Sequence, residues 1–340
     1  MKSFWRSLKL LRTPHLPAQF AIMQDLRVYT RVGYLYAALR SGLLHALRAP
    51  ATGHELARKL NVQRPELLEA LLRVGVSIGE LSIRGGRYRV RGARSKALLD
   101  PTNDPLAAVI EEFVTYHASV YRHMPERLSG APLGDYLSGT GDLIARSSRV
   151  LEPFMADFVR EAATRGNPGT LLEIGCGSGI YIRHAAEANP RLTGMGIDMQ
   201  EDVVRQARDN LGQWGLVDRF KVVLGDIRMP PPDVGEGYDL VTLYNNVYYF
   251  PVEERGALFK TLRALVSPGG SLALLSSMQG TTPLAADFDL SLRSTQGCSP
   301  LPRLAGLKQQ LQAAGFRRVE STRLVPTEPF YGVIATLDNS

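Results

Sequence analysis

Cysteine is nearly missing from this sequence: Cys176 and Cys298 are the only two in 340 residues, far apart and without metal-ligand spacing. That scarcity excludes a disulfide framework and a zinc site, and it fits a reducing compartment. No apolar run is long enough to span a bilayer, so a transmembrane segment is not expected. The basic N-terminus lacks a continuous apolar stretch followed by a small-residue cleavage site, which argues against a secretory signal and for a cytoplasmic protein. Internal repeats and low-complexity tracts are absent too. What is present is a globular composition, 44% hydrophobic and 21% charged. A chain of 340 residues exceeds one ordinary core, which predicts two domains of unequal size.

Basic residues outnumber acidic ones, 40 to 33, for a formal charge of +7. Such an excess raises nucleic acid or an anionic membrane as partners, and its location must decide. Part of it lies in Lys2, Arg6, Lys9 and Arg12, on one side of an expected helix with Phe4, Trp5, Leu8 and Leu11 on the other. That helix, ended by Pro14 and Pro17, suits either a membrane surface or, more commonly for short amphipathic helices, a dimer partner or its own domain. Val28 to Leu39 reads as a strongly apolar helix, with Gly42-Leu43-Leu44 as a turn after it. Thr52 with Glu55 three residues on is a capping-box pattern opening a helix through Leu60, and Pro65 opens another with Leu67, Leu68, Leu71 and Leu72 as its buried stripe. Leu81 to Arg84 and Arg87 to Arg91 flank Gly85-Gly86, a two-residue hairpin signal. Three helices and a hairpin in that order predict a winged helix over residues 1–104. Its Arg84, Arg87, Arg89, Arg91, Arg94 and Lys96 suit DNA phosphates, but the expected recognition helix carries Glu66 and Glu69 and no array to read base edges, so DNA binding is the weaker reading. Residues 105–165 read as linking helices, with Tyr116, His117, Tyr121 and His123 close together on one of them.

From residue 166 the pattern changes to strands alternating with helices. Leu171–Ile174, Leu192–Ile197, Phe220–Leu224, Leu240–Leu243 and Leu272–Leu275 are short apolar strands, each followed by a helical stretch or a long connection. That order predicts an α/β fold with a doubly wound parallel sheet. Arg318–Leu324 and Phe330–Ala335 are too closely linked for a helical crossover and are expected to pair antiparallel.

The chemistry gathers at the strand ends. Glu173-Ile174-Gly175-Cys176-Gly177-Ser178-Gly179 ends the first strand and opens a helix, the position at which open α/β sheets bind ligands. Glycines there let the backbone turn tightly and approach a ligand. A dinucleotide fingerprint needs a third Gly or Ala where Ile180 stands, and no Lys-Ser or Lys-Thr follows for a P-loop. Asp198 ends the second strand, placed for the two hydroxyls of a ribose. Gly225-Asp226-Ile227 ends the third, where Asp226 can accept from an exocyclic amine while Ile227 packs on the base. A single strand-end Asp is usually a cap or turn residue. Two of them behind a glycine loop form a more specific pattern.

These residues resemble the class I S-adenosylmethionine-dependent methyltransferases, from about Leu171 to the end of the chain. Tyr238-Asp239-Leu240, Ser267-Pro268-Gly269-Gly270 and Ala314-Gly315-Phe316 extend the match. With the helical N-terminal domain added, the chain looks like the small-molecule O-methyltransferase branch, which includes some N-methylating members. The resemblance implies a Rossmann-like seven-stranded methyltransferase sheet over residues 166–340, a winged-helix domain that mediates a homodimer, and linking helices that roof the substrate pocket. It implies S-adenosylmethionine as cofactor and S-adenosylhomocysteine as product. Glu173, Gly175 and Gly177 would face the methionine part, Asp198 and Met199 the ribose side, Gly225, Asp226 and Ile227 the adenine, and Asn245 the region near the sulfonium.

Members of that branch that deprotonate a hydroxyl carry a His after the fourth strand, where this chain reads Asn245-Asn246-Val247-Tyr248-Tyr249-Phe250. A phenol is a poor base at neutral pH unless its surroundings lower its pKa. Methyl transfer needs little beyond in-line positioning, so a nucleophilic substrate requires no strong base. His117 is then the leading base candidate, with Tyr248 and Tyr249 as further catalytic candidates. Tyr116, Tyr121, Arg149 and Asp289 are candidate substrate contacts, with Asp287 and Arg146 behind them. Simple pocket packing competes with each of these roles. The expected activity is methylation of a hydrophobic or aromatic metabolite at O, N or C. A diverged use of the cofactor, such as ring closure or decarboxylation, and a DNA-binding regulator with a ligand-sensing domain are the alternatives.

Overall fold

The computed structural model describes residues 14–136 and 140–338. The amphipathic basic segment expected over residues 2–12 lies outside them. The chain forms two compact units, Met1–Ser119 and Val120–Ser340, so the expected linking segment is shared between them.

In the first unit, helix α1 spans Leu16–Arg40, beginning well upstream of the expected Val28. Pro17 falls in its first turn, where a missing N–H breaks no helical hydrogen bond. Gly42 is not part of a simple turn: in left-handed conformation it caps a short helix, α2, Leu43–Ala46. Helix α3, Gly53–Lys59, opens with the expected capping box, in which the Thr52 hydroxyl accepts from the Glu55 amide and the Glu55 carboxylate accepts from the Thr52 amide. Helix α4, Pro65–Ser77, buries Leu68 and Leu72. Strands β1, Leu81–Arg84, and β2, Arg87–Val90, pair antiparallel with Arg84 opposite Arg87, the register a two-residue turn imposes. Arg87 is tied back to Glu55 and to the Pro50 carbonyl, and Glu69 accepts from the Tyr88 hydroxyl. Helices α5, Ala93–Ala97, and α6, Asp104–Glu112, follow.

The expected single helix carrying Tyr116, His117, Tyr121 and His123 is not uninterrupted. A π-helical turn, Phe113–His117, leads into helix α7, Ala118–Arg122, and His123 breaks the path before helix α8, Met124–Leu128. Pro125 is the cause, since it brings no N–H and its ring clashes with the preceding turn.

The second unit continues with helices α9, Gly141–Ser148, and α10, Glu152–Thr164, and then a seven-stranded sheet. Its strands are β3, Thr170–Ile174; β4, Thr193–Asp198; β5, Phe220–Leu224; β6, Tyr238–Tyr244; β7, Val266–Ser277; β8, Arg318–Arg323; and β9, Phe330–Thr336. Helices α11, Ile180–Ala188; α12, Glu201–Gln213; α13, Arg255–Leu265; α14, Pro283–Arg293; and α15, Leu304–Ala313 connect them. The spatial order is β5-β4-β3-β6-β7-β9-β8, parallel except for β9, which runs antiparallel to both β7 and β8. The last two strands therefore pair antiparallel, as their short link requires. Leu171, Leu172 and Ile174 are all buried, the mark of a central strand covered on both faces. From β3 the chain winds outward to β5, then returns to β6 on the other side. That reversal opens a crevice at the tips of β3 and β6, where open α/β sheets hold ligands. Among the described residues no helix is long and apolar enough to cross a membrane.

Candidate functional site

The glycine loop leaves β3 and enters α11 through Gly179, the left-handed N-cap. Gly175 sits at φ +61°, and a Cβ there would lie 2.3 Å from Asn246 Nδ2, so both backbone conformation and close approach require glycine. Asn246 donates from Nδ2 to the Ile174 carbonyl at 2.8 Å and to that of Gly175 at 3.2 Å, pinning the loop to the tip of β6. Asn210 on α12 donates to the Ser178 carbonyl at 2.9 Å. Neither asparagine stands out in the sequence; an Asn directly after a strand end that faces a glycine loop is the signal for Asn246.

Asp198 stands at the tip of β4 beside this loop. Its carboxylate accepts from the Gly177 amide and from the Gln200 amide, each at 3.1 Å. Desolvation nonetheless raises its pKa against those donors. The Gly225 amide donates to the Asp198 carbonyl at 2.9 Å, which fixes the spacing between the β4 and β5 tips. Beyond it, Asp226 is held by Arg228: the backbone amide donates to Oδ1 at 2.9 Å, Nε donates to both oxygens, and Nη2 lies 2.6 Å from Oδ2. That grip lowers the Asp226 pKa. Ile227 is buried in the sheet core, while Met199 is exposed.

Glu173, at the penultimate position of β3, is 1% exposed. Burial pushes its carboxyl well above the ordinary range, and the neighbouring Asp198 pushes it further. Among the described residues no basic side chain forms an ion pair with it. Asn245 follows β6 in left-handed conformation at φ +56°, its amide bonded to the Leu275 carbonyl and its Nδ2 3.5 Å from the Met155 sulfur.

Tyr248 and Tyr249 occupy a 3-10 turn, Val247–Tyr249. Tyr248 is buried, with its ring edge-on to Tyr249 at 4.8 Å and to Phe288 at 5.5 Å. Tyr121 donates to Asp287 at 2.7 Å, joining α7 to α14, and that bond raises its pKa to about 12. Asp289 accepts from the Leu301 amide and pairs with Arg293, both at 2.8 Å, so both of its oxygens brace the fold. Arg149 pairs with Glu152 at 2.9 Å, and Glu152 in turn meets His184 at 3.1 Å. Arg146 lies in the last turn of α9. Tyr116 and His117 belong to the first unit. There His117 is buried, stacked on Phe113 at 4.3 Å, with Nε2 3.6 Å from Glu112 and Tyr116 edge-on at 6.1 Å.

The structure thus brings Glu173, Gly175, Gly177, Asp198, Gly225, Asp226 and Asn245 together at neighbouring tips of one sheet, whereas the aromatic and basic candidates are spread over separate elements.

Residues 171–270 match the methyltransferase-domain family. Over 100 residues the chain is 26% identical to malonyl-[acyl-carrier protein] O-methyltransferase 2 of Ilyobacter polytropus, a stretch covering 29% of this chain and 36% of that protein. Solved structures match nearly the whole chain. An O-methyltransferase family protein from Burkholderia thailandensis aligns with TM-score 0.80 and 21% identity, over 95% of this chain and 98% of its own. A mitomycin 7-O-methyltransferase aligns with TM-score 0.81 and 18% identity, over 94% and 98%. Human N-acetylserotonin methyltransferase, solved in complex with SAM, aligns with TM-score 0.77 and 16% identity, again over 94% and 98%. Residues 171–270 are therefore a methyltransferase domain, set in a chain with the fold of the S-adenosylmethionine-dependent O-methyltransferase-like proteins.

Proposed function

We propose that the chain transfers the methyl group of S-adenosylmethionine to a small hydrophobic or aromatic molecule. Glu173 carries this reading. Burial beside Asp198 without a basic side chain pushes the Glu173 carboxyl toward its neutral form, and a cation brought by a ligand would let it ionise and pair. A pyrophosphate would add repulsion to the same place. The glycine loop leaves β3 just after Glu173, and the Asp198 carboxylate beside it, bonded to the Gly177 amide, has acceptor capacity left for ribose hydroxyls. Glycine, acid and asparagine at these tips fit a nucleoside joined to a positively charged amino acid.

When bound, S-adenosylmethionine supplies a methyl carbon made electrophilic by its sulfonium. The chain's own share is positioning: Asp198 orients the sugar, Asp226 the base amine, and Asn246 keeps the glycine loop against β6 so that the reacting end lies at Asn245. Tyr248 is packed in the core and Tyr121 is held protonated by Asp287, so neither suits proton abstraction. Substrates that ionise readily, or whose acceptor atom is already nucleophilic, suit such a site best. Incubation with methyl-labelled cofactor and a panel of phenols, amines and carbon acids tests this activity. Label on a small product supports it, while cofactor cleavage without methylated product overturns it.

We also propose that the chain is a homodimer through α1. Phe20, Ile22, Met23, Leu26, Val28 and Tyr29 are all at least half exposed, and a helix apolar on several sides asks for burial. Their positions cover successive turns with few charges, as a helix crossing its own copy requires. Light scattering should give twice the chain mass for wild type and the single mass for Ile22→Glu/Leu26→Glu; a monomeric wild type overturns this.

A further inference from the structure

Three polar side chains share one face of the sheet beneath the glycine loop. Glu173 and Thr242 are register partners on β3 and β6, and Tyr244 lies two residues further along β6, on the same face and at its tip. Tyr244 is held edge-on by Tyr181 at 5.5 Å and by Phe158 at 6.4 Å. It is 4% exposed and Thr242 is 2% exposed, yet neither hydroxyl has a hydrogen-bond partner among the described residues. A buried polar group left in that state is costly, because it has given up water and gained no partner. Tyr181, the neighbouring phenol, is directed at the Met155 sulfur at 3.2 Å.

The kind of partner each group lacks can be stated. Burial and Glu173 keep the Tyr244 phenol protonated, so it is a donor in search of an acceptor. Glu173 is an acceptor in search of a cation. A single ligand group that supplies both, side by side, is the zwitterionic end of an amino acid, with its ammonium on Glu173 and its carboxylate on Tyr244. The phenol also offsets the repulsion that a ligand carboxylate would feel from Glu173.

We propose that Tyr244 is a cofactor-positioning residue whose hydroxyl donates to the carboxylate of the cofactor's methionyl group. This rests on the S-adenosylmethionine reading above. Tyr244 thereby sets how far the amino-acid end enters the crevice, and through the covalent frame it fixes the reach of the sulfur toward Asn245.

Calorimetric titration tests it with three ligands: S-adenosylhomocysteine, the same thioether lacking only the carboxylate, and 5′-methylthioadenosine, which lacks the amino-acid end. Tyr244→Phe keeps the ring and its packing. It should weaken S-adenosylhomocysteine about fivefold to twentyfold, as loss of a charge-assisted hydrogen bond entails, and leave the other two unchanged. An equal loss for all three would show a merely structural role and overturn the assignment, as would no loss for any. Thr242→Val should leave all three affinities as in wild type; a selective loss of S-adenosylhomocysteine in that variant instead moves the contact to Thr242 and overturns the role of Tyr244. Wild type that fails to bind S-adenosylhomocysteine would sink the cofactor reading itself, a result distinct from uniform weakening by Tyr244→Phe.

Discussion

The tips of β4 and β5 end in aspartates that look alike in the sequence and differ in the fold. Asp198 accepts from two backbone amides and has its pKa raised by desolvation, while Asp226 is gripped by the side chain of Arg228 and has its pKa lowered. The first acid is built into the main chain of the glycine loop. The second is held by one flexible side chain. A site can thus have a rigid half at the sugar and an adjustable half at the base, because backbone donors cannot leave and a guanidinium can.

The largest expected effect tests the rigid half. Asp198→Ala should lose at least about a hundredfold in affinity for S-adenosylhomocysteine, some 2.7 kcal/mol, because ligand contacts and loop support go together. Calorimetry that finds near-equal affinity for variant and wild type removes the ribose assignment. Gly175→Ala comes next: with φ at +61° and Asn246 in the path of the new Cβ, it should cost about 1–3 kcal/mol of stability in urea unfolding and weaken the ligand about tenfold. An unchanged midpoint would mean that the loop is not clamped as described.

Glu173 sharpens the comparison through pH. Its pKa is raised in the free protein, so its contribution to stability is present below the ordinary carboxyl value and is lost as pH rises through the raised one. A bound cation favours the ionised form, and binding therefore releases a proton. Affinity for the cofactor should rise with pH between those two values and level off above them, whereas Glu173→Gln should be flat over the same range and, ligand-free, gain melting temperature relative to wild type at high pH. Parallel pH profiles for the two proteins would contradict the cation reading.

The smallest effect belongs to the adjustable half. Arg228 occupies the acceptor positions of Asp226 that a base amine would need, so Arg228→Ala should tighten S-adenosylhomocysteine by about threefold, with a weaker dependence on salt. Weaker binding instead would make Arg228 a ligand contact and end the contrast between the two tips.

Much of the site was legible because it is coded by neighbours in sequence. The run from Glu173 to Gly179 follows a buried strand, and strand-end acids recur at Asp198 and Asp226, so topology alone brings them to one edge. The capping box at Thr52 and the Gly85-Gly86 hairpin were legible for the same reason. Local pattern was incomplete where a neighbouring proline or a distant partner decides. The stretch from Tyr116 to His123 was read as one helix, although Pro125 breaks it. Asp289, a candidate substrate contact, has one oxygen on the Leu301 amide and the other on Arg293, partners that no local pattern announces. Asn246, Arg228 and Tyr244 drew no assignment, since each acquires meaning only from the residue it faces.

The sequence by itself determined the order of strands and helices, the glycine loop and the acids that end its flanking strands, because hydrophobic period and turn chemistry are properties of short stretches. Only the tertiary structure decided the state of each acid: which one is buried without a counter-charge, which is bound by backbone and which by arginine. Desolvation and hydrogen bonding depend on what packs alongside, and β3, β4 and β6 bring those neighbours from parts of the chain far apart in sequence.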